Sequence, residues 1–105
     1  MDVSEFKGST TVDWQNVISG NSDFRTCKPT VSNANTNWHV YQLVRKPGSL
    51  VWKVDGVTTC TQTKAVPTTP MFMIINTALG GRGGGTIKSS TLPQTMLVDY
   101  VRLTQ

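Results

Sequence analysis

The chain has few of the side chains that usually carry out catalysis or bind metals. Its 105 residues include one glutamate, one histidine and two cysteines, and charged residues make up only 15% of the sequence. Cys27 and Cys60 are too far apart for a CxxC redox motif, and with a single histidine they do not have the spacing of a zinc site. These two classes of function are therefore excluded.

Long apolar runs and clusters of one charge are also absent. No apolar segment is long enough to cross a bilayer, and the first residues lack the pattern of a signal peptide. The net charge of +4 reflects a shortage of acids. The basic residues are scattered, and only Arg45 and Lys46 are adjacent. We therefore expect neither a membrane nor a nucleic-acid partner. The oligomeric state stays open.

Threonine and valine dominate the composition, and no segment has a sustained helical period, so we expect one all-β domain. Asp55-Gly56 is the strongest hairpin signal, because a type I′ turn needs two residues with positive φ. A polar segment, residues 20–37, is expected to be a long loop. The apolar run 71–79, interrupted by Asn76, predicts a strand buried on both faces. The expected strands are 11–19, 38–45, 50–54, 57–63, 71–79 and 95–104, with 38–63 forming a three-stranded meander.

Two features of the chain allow two interpretations each. Asp2 and Glu5 lie three residues apart, so a regular strand would place them on opposite faces. A bulge at Val3 or Ser4 would return both carboxylates to one face, and bulges of this kind are common next to active sites. In the alternative interpretation, the two residues belong to a frayed, acidic N-terminus. Cys27 and Cys60 either form one disulfide in an exported protein or stay as two structural thiols.

Several ordered motifs resemble the second half of a glycoside hydrolase family 16 domain, the family of laminarinases, lichenases, agarases and carrageenases. The similarity covers essentially the whole chain. Its motifs are Trp38-His39-Val40-Tyr41, Val51-Trp52-Lys53-Val54-Asp55-Gly56, Pro70-Met71-Phe72, Asn76-Thr77-Ala78-Leu79-Gly80-Gly81 and Val98-Asp99-Tyr100-Val101-Arg102. The resemblance implies an antiparallel β-sandwich of the concanavalin A-like jelly-roll type. Residues 1–105 would be the C-terminal part of one such domain.

The same resemblance assigns roles to the first residues. The bulged catalytic motif of the family is Glu-x-Asp-x-x-Glu, and residues 1–5 match everything after its first glutamate. Glu5 would then be the general acid/base and Asp2 an electrostatic helper. The nucleophile would lie one place before Met1, so the chain is expected to be cut within its catalytic motif. We expect the 105 residues alone to be inactive.

Other positions follow from the resemblance one at a time. Asn76 matches a substrate-binding asparagine, although an amide satisfied by nearby backbone is the alternative. Trp14 and Asn16 lie on the strand that lines the family's groove, although Trp14 also suits an ordinary core. Asp99 matches an aspartate that helps bind a structural calcium in several members. No cofactor is expected to be required. His39 is interpreted as structural, and Arg45 replaces a tryptophan common at that strand end.

The implied function is endo-hydrolysis of a β-linked polysaccharide with retention, most simply a β-1,3- or mixed-linkage glucan. Two alternatives stay open: a non-catalytic carbohydrate-binding sandwich, and an inactive truncated fragment. A polymeric substrate cannot enter a cell, so an extracellular location is expected.

Overall fold

The structure is a computed structural model that describes residues 3–6, 12–16, 25–80 and 86–105. The regular structure in these ranges is almost entirely β, which confirms the predicted fold class. Among the residues described, no helix is long and apolar enough to cross a membrane. The strands are β1 (Glu5–Phe6), β2 (Val12–Asn16), β3 (Arg25–Cys27), β4 (Tyr41–Lys46), β5 (Ser49–Val54) and β6 (Val57–Gln62), followed by a short 3-10 helix at Ser89–Thr91.

The strands form two antiparallel three-stranded sheets, one in the order β1-β2-β3 and one in the order β4-β5-β6. The second sheet is the predicted meander. Gly48, with φ of 72°, lies in the turn between β4 and β5. The next turn has Asp55 at φ 50° and Gly56 at φ 82°. Two consecutive positive φ angles are what a type I′ hairpin turn requires, so the prediction from Asp55-Gly56 is confirmed.

Strand β5 holds the core. Leu50, Trp52 and Val54 are buried, and the residues between them are half-buried, because successive side chains of a strand point to opposite faces. Trp52 is 1% exposed and Leu50 is fully buried. The remaining buried members of this core are Val31 and Cys60, with Cys27, Ala34, Tyr41, Leu43 and Val66 packed against it.

A β-bulge interrupts the pairing of β5 with β6. Lys53 pairs with Thr58 but Trp52 pairs with Cys60, so Thr59 is the extra residue on β6. The Thr59 hydroxyl lies 3.3 Å from the carbonyl oxygen of Trp52, to which it donates a hydrogen bond. Beyond the bulge, Cys60 shares the buried face with Trp52.

Two predicted boundaries in the first 45 residues are wrong. The polar segment 20–37 contains β3, since Trp14, Gln15 and Asn16 of β2 pair with it in antiparallel register. Backbone pairing therefore overrides the polar composition. The strand predicted to begin at Trp38 begins at Tyr41, because the backbone N–H of Val40 donates to the carboxylate of Asp55 instead of entering the sheet.

The predicted strands 71–79 and 95–104 do not form. The chain divides into two compact units, Met1–Met71 and Phe72–Gln105, and the second unit contains no strand among its described residues. An apolar run becomes a central strand only when strands pair with both of its edges. Here the run stays irregular, and its side chains are exposed; Phe72 is 85% exposed.

Candidate functional site

The predicted acid/base, Glu5, begins β1 and pairs with Asp13 of β2 in antiparallel register. Phe6 pairs with Val12 in the same ladder. The strand therefore starts at the glutamate itself, with Val3 in a bend and Ser4 outside the sheet. The Glu5 side chain is partly buried. Asp2 lies outside the described residues, so the proposed bulge that would align the two carboxylates stays a prediction.

An aromatic contact anchors β1 to the meander. The ring of Phe6 meets the ring of Tyr41 edge to face, with centroids 5.2 Å apart and planes at 82°. Edge-to-face pairs contribute about 0.5–1.5 kcal/mol beyond the area that they bury. Burial raises the pKa of Tyr41, and the Asp55 carboxylate adds to this shift. Because Phe6 follows Glu5 directly, this contact holds the glutamate at the edge of the core.

A disulfide anchors the other side of the same sheet. Cys27 of β3 is bonded to Cys60 of β6, with the Cα atoms 6.2 Å apart. This resolves the choice between a disulfide and two thiols in favour of the disulfide. Cys27 also pairs with Trp14, the predicted groove residue of β2. The backbone position of Trp14 is therefore linked to the core through one ladder step and one covalent bond.

His39 and Asp55 form a polar clamp at the start of β4. The Asp55 carboxylate lies 2.8 Å from His39 Nδ1 through one oxygen, and accepts from the Val40 backbone N–H at 2.8 Å through the other. The Asp55 backbone N–H donates to the Val40 carbonyl at 3.0 Å. The hydrogen bond from Asp55 raises the pKa of His39 against the opposing effect of burial. The same bond, with the Val40 N–H, lowers the pKa of Asp55.

The clamp gives His39 the structural role that the sequence predicted for it. The sequence does not predict its partner, because Asp55-Gly56 indicates only a hairpin turn. The two residues lie 16 positions apart in the sequence, so no local pattern indicates their contact. The one available hint was the hairpin itself, which brings its turn back towards the residues preceding β4.

The structure describes the predicted groove residues and the predicted calcium residue to different extents. The side chains of Trp14 and Asn16 fall outside what the structure describes, although both residues lie on β2. Asn76 and Asp99 belong to the second unit, where both are exposed. Calcium takes six to eight oxygen ligands. Within the described ranges, the His, Cys, Asp and Glu residues form no cluster of three that could hold a metal ion. The described residues thus do not assemble a calcium site around Asp99, and that role stays a prediction.

A family model described as glycosyl hydrolases family 16 matches residues 1–102. The chain belongs to this family. The match includes the whole of both sheets and every predicted site residue, so the resemblance drawn from the sequence motifs is confirmed. The catalytic roles of Asp2 and Glu5 stay predictions.

Among the curated proteins, the chain is similar to glucan endo-1,3-beta-glucosidase A1 of Niallia circulans. The two are 35% identical over 82 residues, which covers 64% of this chain and 12% of the relative. The chain thus spans about an eighth of the length of that relative. No solved structure matches the chain.

Proposed function

We propose that this family 16 chain contributes the acid/base part of the cleft in a retaining endo-hydrolase of β-linked glucan, with β-1,3-glucan as substrate. One observation carries the proposal: the family match spans residues 1–102 and includes the only glutamate of the chain, Glu5, at the end of the catalytic motif. The similarity to an endo-1,3-beta-glucosidase supports the choice of glucan. Mixed-linkage glucan is the second substrate to test.

The chemistry assigns Glu5 two proton transfers. Retaining hydrolases use two carboxyl groups about 5–5.5 Å apart. Glu5 first donates its proton to the glycosidic oxygen while a carboxylate nucleophile forms a bond to the anomeric carbon. Glu5 then takes a proton from water, and the water oxygen displaces the nucleophile from that carbon. Asp2 stabilises the positive charge that develops on the sugar ring in the transition state of each step.

The nucleophile of this mechanism is absent from the chain in our proposal. Glu5 is its only glutamate, and the family motif requires another glutamate two positions before Asp2 and five before Glu5, directly ahead of Met1. Catalytic groups that act together are strongly non-additive, so losing one removes most of the rate enhancement. The 105 residues alone are therefore expected to be inactive.

The disulfide supports an extracellular location. Disulfides persist in oxidising compartments and are rare in the reducing cytosol. Cys27 and Cys60 are paired, and both lie at the core. An exported protein is also the form that reaches a polymeric glucan, which cannot enter a cell.

The decisive experiment compares two proteins on laminarin and lichenan, with reducing-end release as the assay. One is the 105-residue chain, and the other carries a family 16 amino-terminal segment that ends in glutamate directly before Met1. We expect turnover by the long chain alone. Glu5→Gln should lower its kcat by about 10²–10⁴-fold, the range for loss of a general acid/base.

Two further variants make the assignment specific. With Glu5→Ala in the long chain and an aryl β-glucan oligosaccharide, whose phenolate leaves without being protonated, added azide should restore turnover and yield a glycosyl azide, because azide displaces the nucleophile from the anomeric carbon without needing a base. Turnover by the short chain that is abolished by Asp2→Ala would instead identify Asp2 as the nucleophile. That outcome would overturn our assignment.

A non-catalytic carbohydrate-binding sandwich is the second candidate, and the single glutamate of the chain is the observation that favours it. If the long chain cleaves neither polymer but is retained by insoluble β-1,3-glucan, binding is the function. The hydrolase proposal then fails.

A further inference from the structure

The meander has an outer face that the catalytic proposal does not use. Residues of β5 alternate, so Ser49, Val51 and Lys53 point away from the face that buries Trp52. Their cross-strand partners extend the same surface on both sides. A shallow depression of about 330 Å³ lies there, lined by Val44, Lys46, Ser49, Val51, Lys53 and Thr58.

Two lysines mark the ends of this depression. Lys46 pairs with Ser49 at one end of β5, and Lys53 lies four residues further along the strand. At about 3.4 Å per residue, that separation is roughly 14 Å. Throughout the part of the chain that the structure describes, neither lysine forms a salt bridge with a carboxylate. Two unneutralised ammonium groups therefore flank an apolar and hydroxyl-bearing strip.

We propose that this outer face is a second polysaccharide-binding site that takes an anionic glycan, one bearing carboxylate or sulfate groups. The lysines bind anionic groups at the two ends, the valines contact the apolar faces of the sugar rings between them, and Ser49 and Thr58 provide hydroxyl groups for hydrogen bonds. A monosaccharide is shorter than the distance between the lysines. The site therefore requires a chain of several sugars.

The lining favours a glycan over the other common polyanion, nucleic acid. Proteins that bind single strands stack bases on aromatic side chains, and arginine contributes further stacking. The depression contains neither an aromatic residue nor an arginine. Lysine is instead a compact point charge suited to single carboxylate or sulfate groups.

The test uses the full 105-residue chain in native gels that contain polygalacturonate, dextran sulfate or neutral dextran, with a single-stranded oligonucleotide as a fourth arm. We expect retardation by the two anionic glycans, no retardation by neutral dextran, and weakening by salt because exposed charges are screened. Lys46→Gln with Lys53→Gln should weaken apparent binding by about tenfold or more, since hydrogen bonds to charged groups are lost at both ends.

A charge-matched control decides between a site and general basicity. Lys64→Gln with Lys88→Gln removes the same two charges, from +4 to +2, at exposed positions outside the depression. We expect this variant to bind as the unchanged protein does. Equal weakening in both variants, tighter retention by the oligonucleotide, or no retardation at all would each overturn the proposal. Circular dichroism verifies folding.

Discussion

The carboxylate of Asp55 lies 2.8 Å from Nδ1 of His39. Its other oxygen accepts a hydrogen bond from the backbone N–H of Val40, the residue that precedes β4. Asp55 belongs to the hairpin turn between β5 and β6, so the contact connects the second turn of the meander to the start of its first strand. Val40 is held by this clamp and is followed by Tyr41, whose ring contacts the ring of Phe6, the residue next to Glu5.

The first prediction concerns pH. The pKa of His39 is raised from 6.5, so its contribution to stability is complete below pH 6.5 and is lost as the pH rises through its folded pKa. The pKa of Asp55 is lowered from 3.8, so its contribution is complete above pH 3.8 and is lost as the pH falls through its folded pKa. The pair therefore stabilises most between pH 3.8 and 6.5.

The measurement is the Tm of the protein and of Asp55→Asn across this range. Asparagine keeps an acceptor for Val40 and tolerates positive φ, so the variant removes only the charge. Because the Asp55 side chain is 51% exposed, the difference should be below about 1 kcal/mol. A difference in Tm that is the same at every pH would show that the ion pair contributes nothing.

The second prediction concerns the disulfide. Cys27 and Cys60 are 33 residues apart, and closing a loop of that length stabilises by about 3–4 kcal/mol in the chain-entropy model. The double variant Cys27→Ser with Cys60→Ser should lose that amount in denaturant unfolding. Thiol titration of the denatured, non-reduced protein should find no free thiol and, after reduction, two. Two thiols before reduction would refute the pairing.

The third prediction compares the loss of stability on replacing Trp52 with that on replacing Trp38. Trp52 is 1% exposed whereas Trp38 is 67% exposed. Trp52→Ala should cost about 3–5 kcal/mol of the free energy of unfolding. Trp38→Ala is the control and should change stability by no more than about 0.5 kcal/mol. Near-UV circular dichroism and urea unfolding measure both, and equal losses would place Trp38 in the core after all.

The fourth prediction concerns the apolar side chains of the second unit. Phe72 and Leu103 are 85% and 75% exposed, among many exposed apolar residues of residues 72–105. Large exposed apolar surface favours association. We expect concentration-dependent association in sedimentation velocity, and Phe72→Ser with Leu103→Ser should lower it. Thr86→Ser with Gln105→Ser changes two exposed polar positions as a control. Association that is unaffected by the first pair would place the contact elsewhere.

The meander could be predicted from the sequence because its signals are local. Asp55-Gly56 requires one turn type, and the alternation from Leu50 to Val54 indicates which face is buried. The family could be predicted because its motifs occur in a fixed order. The partner of His39 and strand β3 could not, since both depend on contacts between distant segments.

The failure of the predicted strands 71–79 and 95–104 has a different cause. An apolar run indicates that a segment would be stable when buried, but it does not supply the neighbours that bury it. Asn76 and Asp99 lie in these two segments, so their predicted roles depend on strands that do not form here. Glu5 lies on a strand that does pair, with β2, which is why its position could be described.

The extra residue in β6 sets the parity of that strand. From the hairpin turn, regular pairing would continue by placing Thr59 opposite Trp52 and Cys60 opposite Val51, on the outer face. The bulge shifts the alternation by half a period and turns Cys60 inward, where Cys27 can reach it. Deletion of Thr59 would therefore remove the bulge and leave Cys60 opposite Trp52, with its sulfur still on the core side. The loss of a second residue between the turn and Cys60 would instead place Cys60 opposite Lys53, on the outer face.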